Sequence, residues 1–219
     1  MPKRLSHIRR RSLARYLLLE ELTQSLALPL AEDRRYLASW IAVEAANGWA
    51  TFLRRYYLAS ATGALLTSGS SASATPFRTE TDAVTYAIQQ LRPRVAARGT
   101  GPPWTHRDEP DWLDPGNVSD LLNRLGCLNA AGFMGAVSLG SAVHQDLLTY
   151  RNFVGHRNAE TAGKVRRLVA ANRLRNTISP IANVNDPLEL PLQLVPQRPY
   201  SLLYLWLTDL RTMVSLVPE

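Results

Sequence analysis

An all-α fold is predicted by three features of the sequence. Apolar side chains recur at three-and-four spacing through most segments, and no stretch alternates apolar and polar residues for long enough to build a sheet. The helical segments are separated by proline- and glycine-rich stretches of the kind that stop helices. With 219 residues, 46% of them apolar, the chain is long enough to bury one sizeable core.

The first segment, MPKRLSHIRRRSLARYLLLEELTQSLALPLAED, opens basic, runs through leucines and ends in small residues, as a secretory signal does. Glu20 and Glu21 fall inside its apolar part, where a translocated segment rarely carries charge. Residues 1–30 are therefore expected to form a basic amphipathic helix packed on the core and broken near Pro29. A long core helix follows over Asp33–Ala61, with Tyr36, Trp40, Val43, Trp49, Phe52, Leu53 and Tyr56 expected on its inner face. SATGALLTSGSSASATPF reads as a mobile loop without the lysine of a phosphate-binding loop.

Thr79 and Asp82 form a capping-box-like start for a helix through Leu91, which Pro93 ends or kinks. The linker GTGPPWTHRDEPDWLDPGN is long enough to need pinning, and its two tryptophans are expected to lie on the core as lids. A short helix over Val118–Leu125 should end at Gly126. Another is expected over Ala136–Val154, with Val143, Leu147, Tyr150 and Val154 on one side. Asn158 is placed to cap a helix through Leu174. Prolines 180, 187, 191, 196 and 199 make the next segment extended and irregular, and SLLYLWLTDLRTMVSLV closes the chain as an apolar helix.

The formal net charge of +7 comes from arginine, since lysine occurs only at Lys3 and Lys164. Such a surface favours phosphate-rich partners through counterion release, although a solvated basic face has the same composition. The basic arm of Lys3, Arg4, Arg9, Arg10, Arg11 and Arg15, with the triplet Arg9, Arg10 and Arg11 as its candidate for contacting RNA, could track an RNA backbone, dock on a partner or be a solvated helix end. Cys127 is the single cysteine, which excludes an internal disulfide and a thiolate metal cluster and fits a reducing, cytoplasmic setting. The sequence has no metal-ligand spacing, no Gly-x-x-x-x-Gly-Lys loop and no serine nucleophile elbow, so neither metal nor cofactor is expected. No segment approaches the roughly twenty apolar residues of a membrane span, and no membrane partner is expected.

What remains is the stretch YRNFVGHRN, Tyr150 to Asn158. Among only four histidines, His156 stands five residues after Arg151 and four after Asn152. Arginine keeps its charge near neutral pH and histidine can change its own there, which is the pair of properties that phosphodiester cleavage uses. On a continuous helix Asn152 and His156 share a face, while Arg151 lies well round the cylinder from His156; a bend at Gly155 would bring the three together. Arg157 adds positive charge beside the histidine. Glu44, in the apolar setting of WIAVEAANGW, could pair with Arg151 either structurally or as a positioning group. His144, seven residues before Arg151, would share its helix face. The plainer alternative makes Arg151 an ion-pair partner in the core and His156 a satisfied histidine at a helix junction.

The pattern R-N-x-x-x-H formed by Arg151, Asn152 and His156 resembles the signature of the HEPN superfamily, compact helical domains many of which are metal-independent ribonucleases. WATFLRRYYL, then NVSDLLNRLGCL, then a helix leading to RNFVGHRN have the order and spacing of RiboL-PSP-type HEPN domains. The resemblance covers Arg34 to Leu174. It implies an HEPN-like helical domain at 31–176; the N-terminal helix of 1–30 and the proline-rich segment plus C-terminal helix, 177–219, are not explained by it and are expected to belong to the same body.

The resemblance further implies an endoribonuclease of the toxin or antiviral-defence kind, with RNA as substrate and Arg151, Asn152 and His156 as its catalytic residues. From the residues themselves, Glu44, Arg157, Asn158 and His144 are the candidates to support them, His144 reading also as a solvated or core-edge histidine. Two protomers usually pair in this family so that both motifs face one cleft, which implies a homodimer or a heteromer, held in check by an antitoxin or inhibitor protein. Some relatives carry a tyrosine two residues past the histidine, where a partner nucleotidyltransferase modifies it; here that position is Asn158. The competing function is a non-catalytic HEPN module that binds RNA or serves as a scaffold.

Overall fold

The computed structural model describes residues 4–27, 31–98, 101–138, 143–170, 186–195, 198 and 200–219. The fold is all-helical, and among these residues no strand forms. The helices are α1 (Leu5–Gln24), α2 (Ala31–Ala61), α3 (Glu80–Leu91), α4 (Pro93–Ala96), α5 (Pro115–Arg124), α6 (Ala130–Ser138), α7 (Val143–His156), α8 (Ala159–Ala170) and α9 (Leu202–Leu216). No helix among the described residues is long and apolar enough to cross a membrane.

The chain divides into two compact units. One comprises Met1–Leu13, Ala50–Leu139 and Met213–Glu219, and the other Ala14–Trp49 and Gly140–Thr212, so that α1, α2 and α9 each contribute residues to both.

In the first unit the inner face of the second half of α2 carries the core. Tyr56 stacks on Phe133 with ring centroids 5.1 Å apart, and Tyr57 stacks on Trp112 at 5.5 Å. The buried Asn129 amide donates to the Tyr56 and Ser60 hydroxyls, each at 2.8 Å, and the Tyr56 hydroxyl donates to the Pro218 carbonyl at 3.0 Å. Buried aromatic rings are thus held by a polar chain that satisfies their hydroxyls. Both linker tryptophans are fixed by their indole N–H groups, Trp112 to Glu109 and Trp104 to Thr85, each at 2.8 Å. Thr79 and Asp82 close a full capping box at the start of α3, and Pro93 takes the first position of α4. Gly126, with φ of 61°, follows the end of α5, a backbone conformation that residues with a Cβ seldom adopt.

The second unit gathers the first half of α2, α7, α8, a 3-10 turn over Pro187–Leu192 and most of α9. Tyr150, fully buried, lies against Phe153 and Trp206 with centroids 6.2 and 6.0 Å away. Its hydroxyl is 2.7 Å from that of Ser39 and donates to the Leu188 carbonyl at 3.3 Å. Glu20, buried within the leucines of α1, is neutralised by Arg211 of α9 at 2.7 Å, which explains how an apolar helix tolerates it.

Several expectations are corrected. Tyr36 and Trp40 are not core residues: they are 51% and 50% exposed, because Ala38, Ile41, Ala42 and Ala45 take the inward stripe of α2. Of the helix expected over residues 136–154, α6 covers the part up to Ser138 and α7 the part from Val143, and residues 139–142 lie outside the described residues. The loop of residues 62–79 is held in place by backbone bonds, including Ala72 N–H to the Ala64 carbonyl and Leu128 N–H to the Ala72 carbonyl, both 2.9 Å. Proline fits the 3-10 turn at 187–192 because Pro187 occupies its first turn, capped by the Asp186 carboxylate. Pro29, Leu174, Pro180, Pro196 and Pro199 lie outside the described residues.

Candidate functional site

The motif is built on α7. Val143, Asp146, Leu147, Tyr150 and Phe153 are its buried positions and fix its rotation against the second unit. The opposite stripe, Gln145, Asn152 and His156, is exposed as a direct consequence. Arg151 is half-buried on the flank that also carries His144, two turns earlier.

The helix runs unbroken through Gly155 to His156, so no bend occurs at the glycine. The chain turns one residue later, where Arg157 adopts a left-handed φ of 43° and its N–H bonds to the Phe153 carbonyl at 2.7 Å, closing α7. Asn158 then caps α8: its side-chain oxygen accepts from the Thr161 N–H at 2.9 Å and from the Thr161 hydroxyl at 3.0 Å. Asn158 is thereby committed to a helix start. On the unbroken α7, Asn152 and His156 lie about 40° apart around the axis, and Arg151 and His156 about 140° apart.

Glu44 does not pair with Arg151. Its carboxylate binds the Arg15 guanidinium, which α1 brings across the flat surface left by Gly48; the position of a Cβ on Gly48 would be 3.3 Å from the Arg15 side chain. Among the described residues neither Arg151 nor His156 forms a side-chain hydrogen bond or ion pair, so the core ion-pair reading of Arg151 loses its partner. Arg157, in contrast, stacks over Tyr36 with its guanidinium carbon 5.5 Å from the ring centroid. The second unit therefore presents, around one helix end, an exposed imidazole, two arginines, an amide and an exposed aromatic ring.

The basic arm divides. Arg9 is bound to the C-terminal residues: it donates to the Glu219 carboxylate at 2.6 Å and to the Ser215 carbonyl at 3.2 Å. Arg10 and Arg11 instead line a cavity of about 690 Å³ in the first unit, with Arg4, His7, Arg54 and Arg55. Arg4 belongs to the basic arm already singled out in the sequence, whereas His7 and Arg55 were not expected in a site. The available signal was the helical spacing of Arg4, His7 and Arg11, which puts them on one face, and the Arg54–Arg55 doublet on the next helix.

Among the described residues no group of three or more His, Cys, Asp or Glu side chains is arranged to hold a metal ion. No protein-family model, curated protein or solved structure matches the chain.

Proposed function

We propose that the protein is a metal-independent endoribonuclease of the HEPN type, acting through Arg151, Asn152 and His156. The observation that carries this reading is the end of α7. His156 and Asn152 lie exposed one turn apart, Arg151 stands on a flank of the same helix with no acidic partner among the described residues, and Arg157, next to His156 in the chain, stacks over Tyr36. Among the described residues neither arginine is paired with a carboxylate, and such a surface favours an anion as its occupant.

In the proposed reaction His156 takes the proton of a ribose 2'-hydroxyl or returns one to the leaving 5'-oxygen. Arg151 stabilises the charge that develops on the phosphoryl oxygens, and Asn152 orients the phosphate. Tyr36 and Trp40, one helical turn apart on the exposed side of α2, offer rings on which unpaired bases can stack. Acid and base catalysis needs two proton-transfer groups, and one motif supplies one histidine. The active form is accordingly a homodimer, or a heteromer with a second helical subunit, in which Arg151 of one copy serves the phosphate addressed by His156 of another. Their separation of about 140° around α7 within one chain supports this arrangement. The biological role that fits is that of a toxin or antiviral-defence nuclease acting in the cytoplasm and restrained by an inhibitor protein.

The test is cleavage of single-stranded RNA in the presence of a chelator. Products ending in a 2',3'-cyclic phosphate and a 5'-hydroxyl, with DNA of the same sequence left intact, are the expected outcome. If protein that is folded and dimeric binds RNA without cutting it, the chain is a binding module instead.

A further inference from the structure

The cavity of the first unit is cationic beyond what its surroundings require. Arg4 and His7 sit at the start of α1, Arg10 and Arg11 one to two turns further on, and Arg54 and Arg55 on α2, with Glu80 as the single acidic residue in the lining. Arg54 has a fixed structural partner, since its guanidinium makes a two-point contact with Glu109 at 2.6 and 2.8 Å. Arg4, Arg10, Arg11 and Arg55 are all exposed, and among the described residues none of the four forms an ion pair or side-chain hydrogen bond. The placement is not that of a loose tail: a backbone bridge ties Arg4 to Leu65, and Leu5 directly behind it is buried.

Like charges gathered in a concavity repel one another, and the first turn of α1 carries no acidic residue to offset either them or the positive end of the helix. This arrangement costs free energy in the empty protein and is relieved by an anion. The cavity's size lies within the range of small-ligand sites, about 300–1,000 Å³. A single orthophosphate would leave most of it empty, whereas a chain of phosphates can reach guanidinium groups on both helices. Ile8, Leu58 and Ala59 supply an apolar wall. Arginine forks match phosphate oxygens in pairs, which selects phosphate over a lone carboxylate.

We propose that this cavity binds a soluble anion bearing several phosphate groups in tandem, held by Arg4, Arg10, Arg11 and Arg55 with His7 as a further donor. The site shares no residue with the motif on α7, and its occupancy does not depend on RNA cleavage.

Titration calorimetry with the full chain tests it, using tripolyphosphate, orthophosphate and sulfate as probes at two salt concentrations. Tripolyphosphate is expected to bind at least tenfold more tightly than orthophosphate or sulfate and to weaken as salt rises. Arg11→Gln combined with Arg55→Gln should reduce that affinity tenfold or more, while Arg94→Gln, which removes an exposed charge from α4, leaves it unchanged. If the double variant fails to fold by circular dichroism, Arg10→Gln alone is measured and should weaken binding severalfold. Equal affinities for the three anions, or equal losses in the Arg94 and cavity variants, would overturn the proposal in favour of a diffuse basic surface. A 5'-hydroxyl RNA oligonucleotide that binds through Arg11 and Arg55 when tripolyphosphate does not would also overturn it, and assign the cavity to an RNA backbone.

Discussion

The guanidinium of Arg157 rests over the ring of Tyr36, 5.5 Å from its centroid, and so joins the residue after the motif histidine to the exposed side of α2. An exposed cation–π contact of this kind contributes about 0.5–1 kcal/mol, and it helps to hold Arg157 in a backbone conformation that residues with a Cβ seldom adopt. Tyr36→Ala should therefore lower stability only slightly. If bases stack on the same ring, RNA affinity should fall by more than the stability does, by about 1–3 kcal/mol per stacked base. Tyr36→Phe should retain both. Chemical denaturation and RNA binding measured on the same three proteins separate these effects, and equal losses in the two assays would leave Tyr36 with a structural role alone.

His156→Ala and Arg151→Ala should each leave unfolding free energy within about 0.5 kcal/mol of wild type, because neither side chain has a partner among the described residues and His156 is exposed. RNA cleavage should meanwhile fall by about 10² to 10⁴ for His156→Ala and by a comparable factor for Arg151→Ala. Melting followed by circular dichroism, run beside the cleavage assay, is the check. Variants that unfold would return these residues to the core and sink the catalytic reading.

The helical class, the capping box of Thr79 and Asp82, the stop at Gly126 and the cap at Asn158 were all legible because each is written in residues local to the element. What could not be read was which side of a helix finds a neighbour. Tyr36 and Trp40 obey the same three-and-four spacing as Trp49 and Phe52, and only packing decides that the first pair faces solvent and the second the interior. The partner of Glu44 was hidden for the same reason: Arg15 reaches it over Gly48, a contact between residues far apart in the chain. The cationic cavity likewise needs α1 and α2 side by side, and no local pattern announces that.

Gly155 offers a direct test of the motif's backbone. A hinge was expected there, yet α7 continues through it, and a Cβ added at this position meets nothing within 4 Å. Gly155→Ala should thus stabilise the protein by about 0.5–1 kcal/mol, through the lower entropy of the unfolded chain and better helix propensity. Thermal unfolding measures it. A loss of stability, or abolished cleavage with the fold intact, would mean that the backbone must bend at this glycine during function.

Glu109 is expected to contribute to the acid limb of the protein's stability. Burial alone would raise its carboxyl pKa, but the hydrogen bonds from Arg54 and Trp112 and the charge of Arg54 outweigh burial and hold it below the ordinary carboxylate range. The folded pKa is therefore depressed relative to the unfolded chain. The associated stability is fully present above the unfolded carboxylate value, about 4.3, and is lost as pH falls through the folded value. Glu109→Gln keeps the shape but removes the charge, leaving the partly buried Arg54 guanidinium without its counter-ion. Breaking a fully buried pair costs about 3–5 kcal/mol, and because Arg54 retains some solvent contact about 2–3 kcal/mol is expected here. The loss should be largest near neutral pH and should shrink toward pH 3, where the wild-type carboxylate is itself becoming protonated. Urea unfolding of both proteins across pH 3 to 7 provides the measurement, and a stability difference that does not narrow on acidification would show that Glu109 acts through packing and not through its charge.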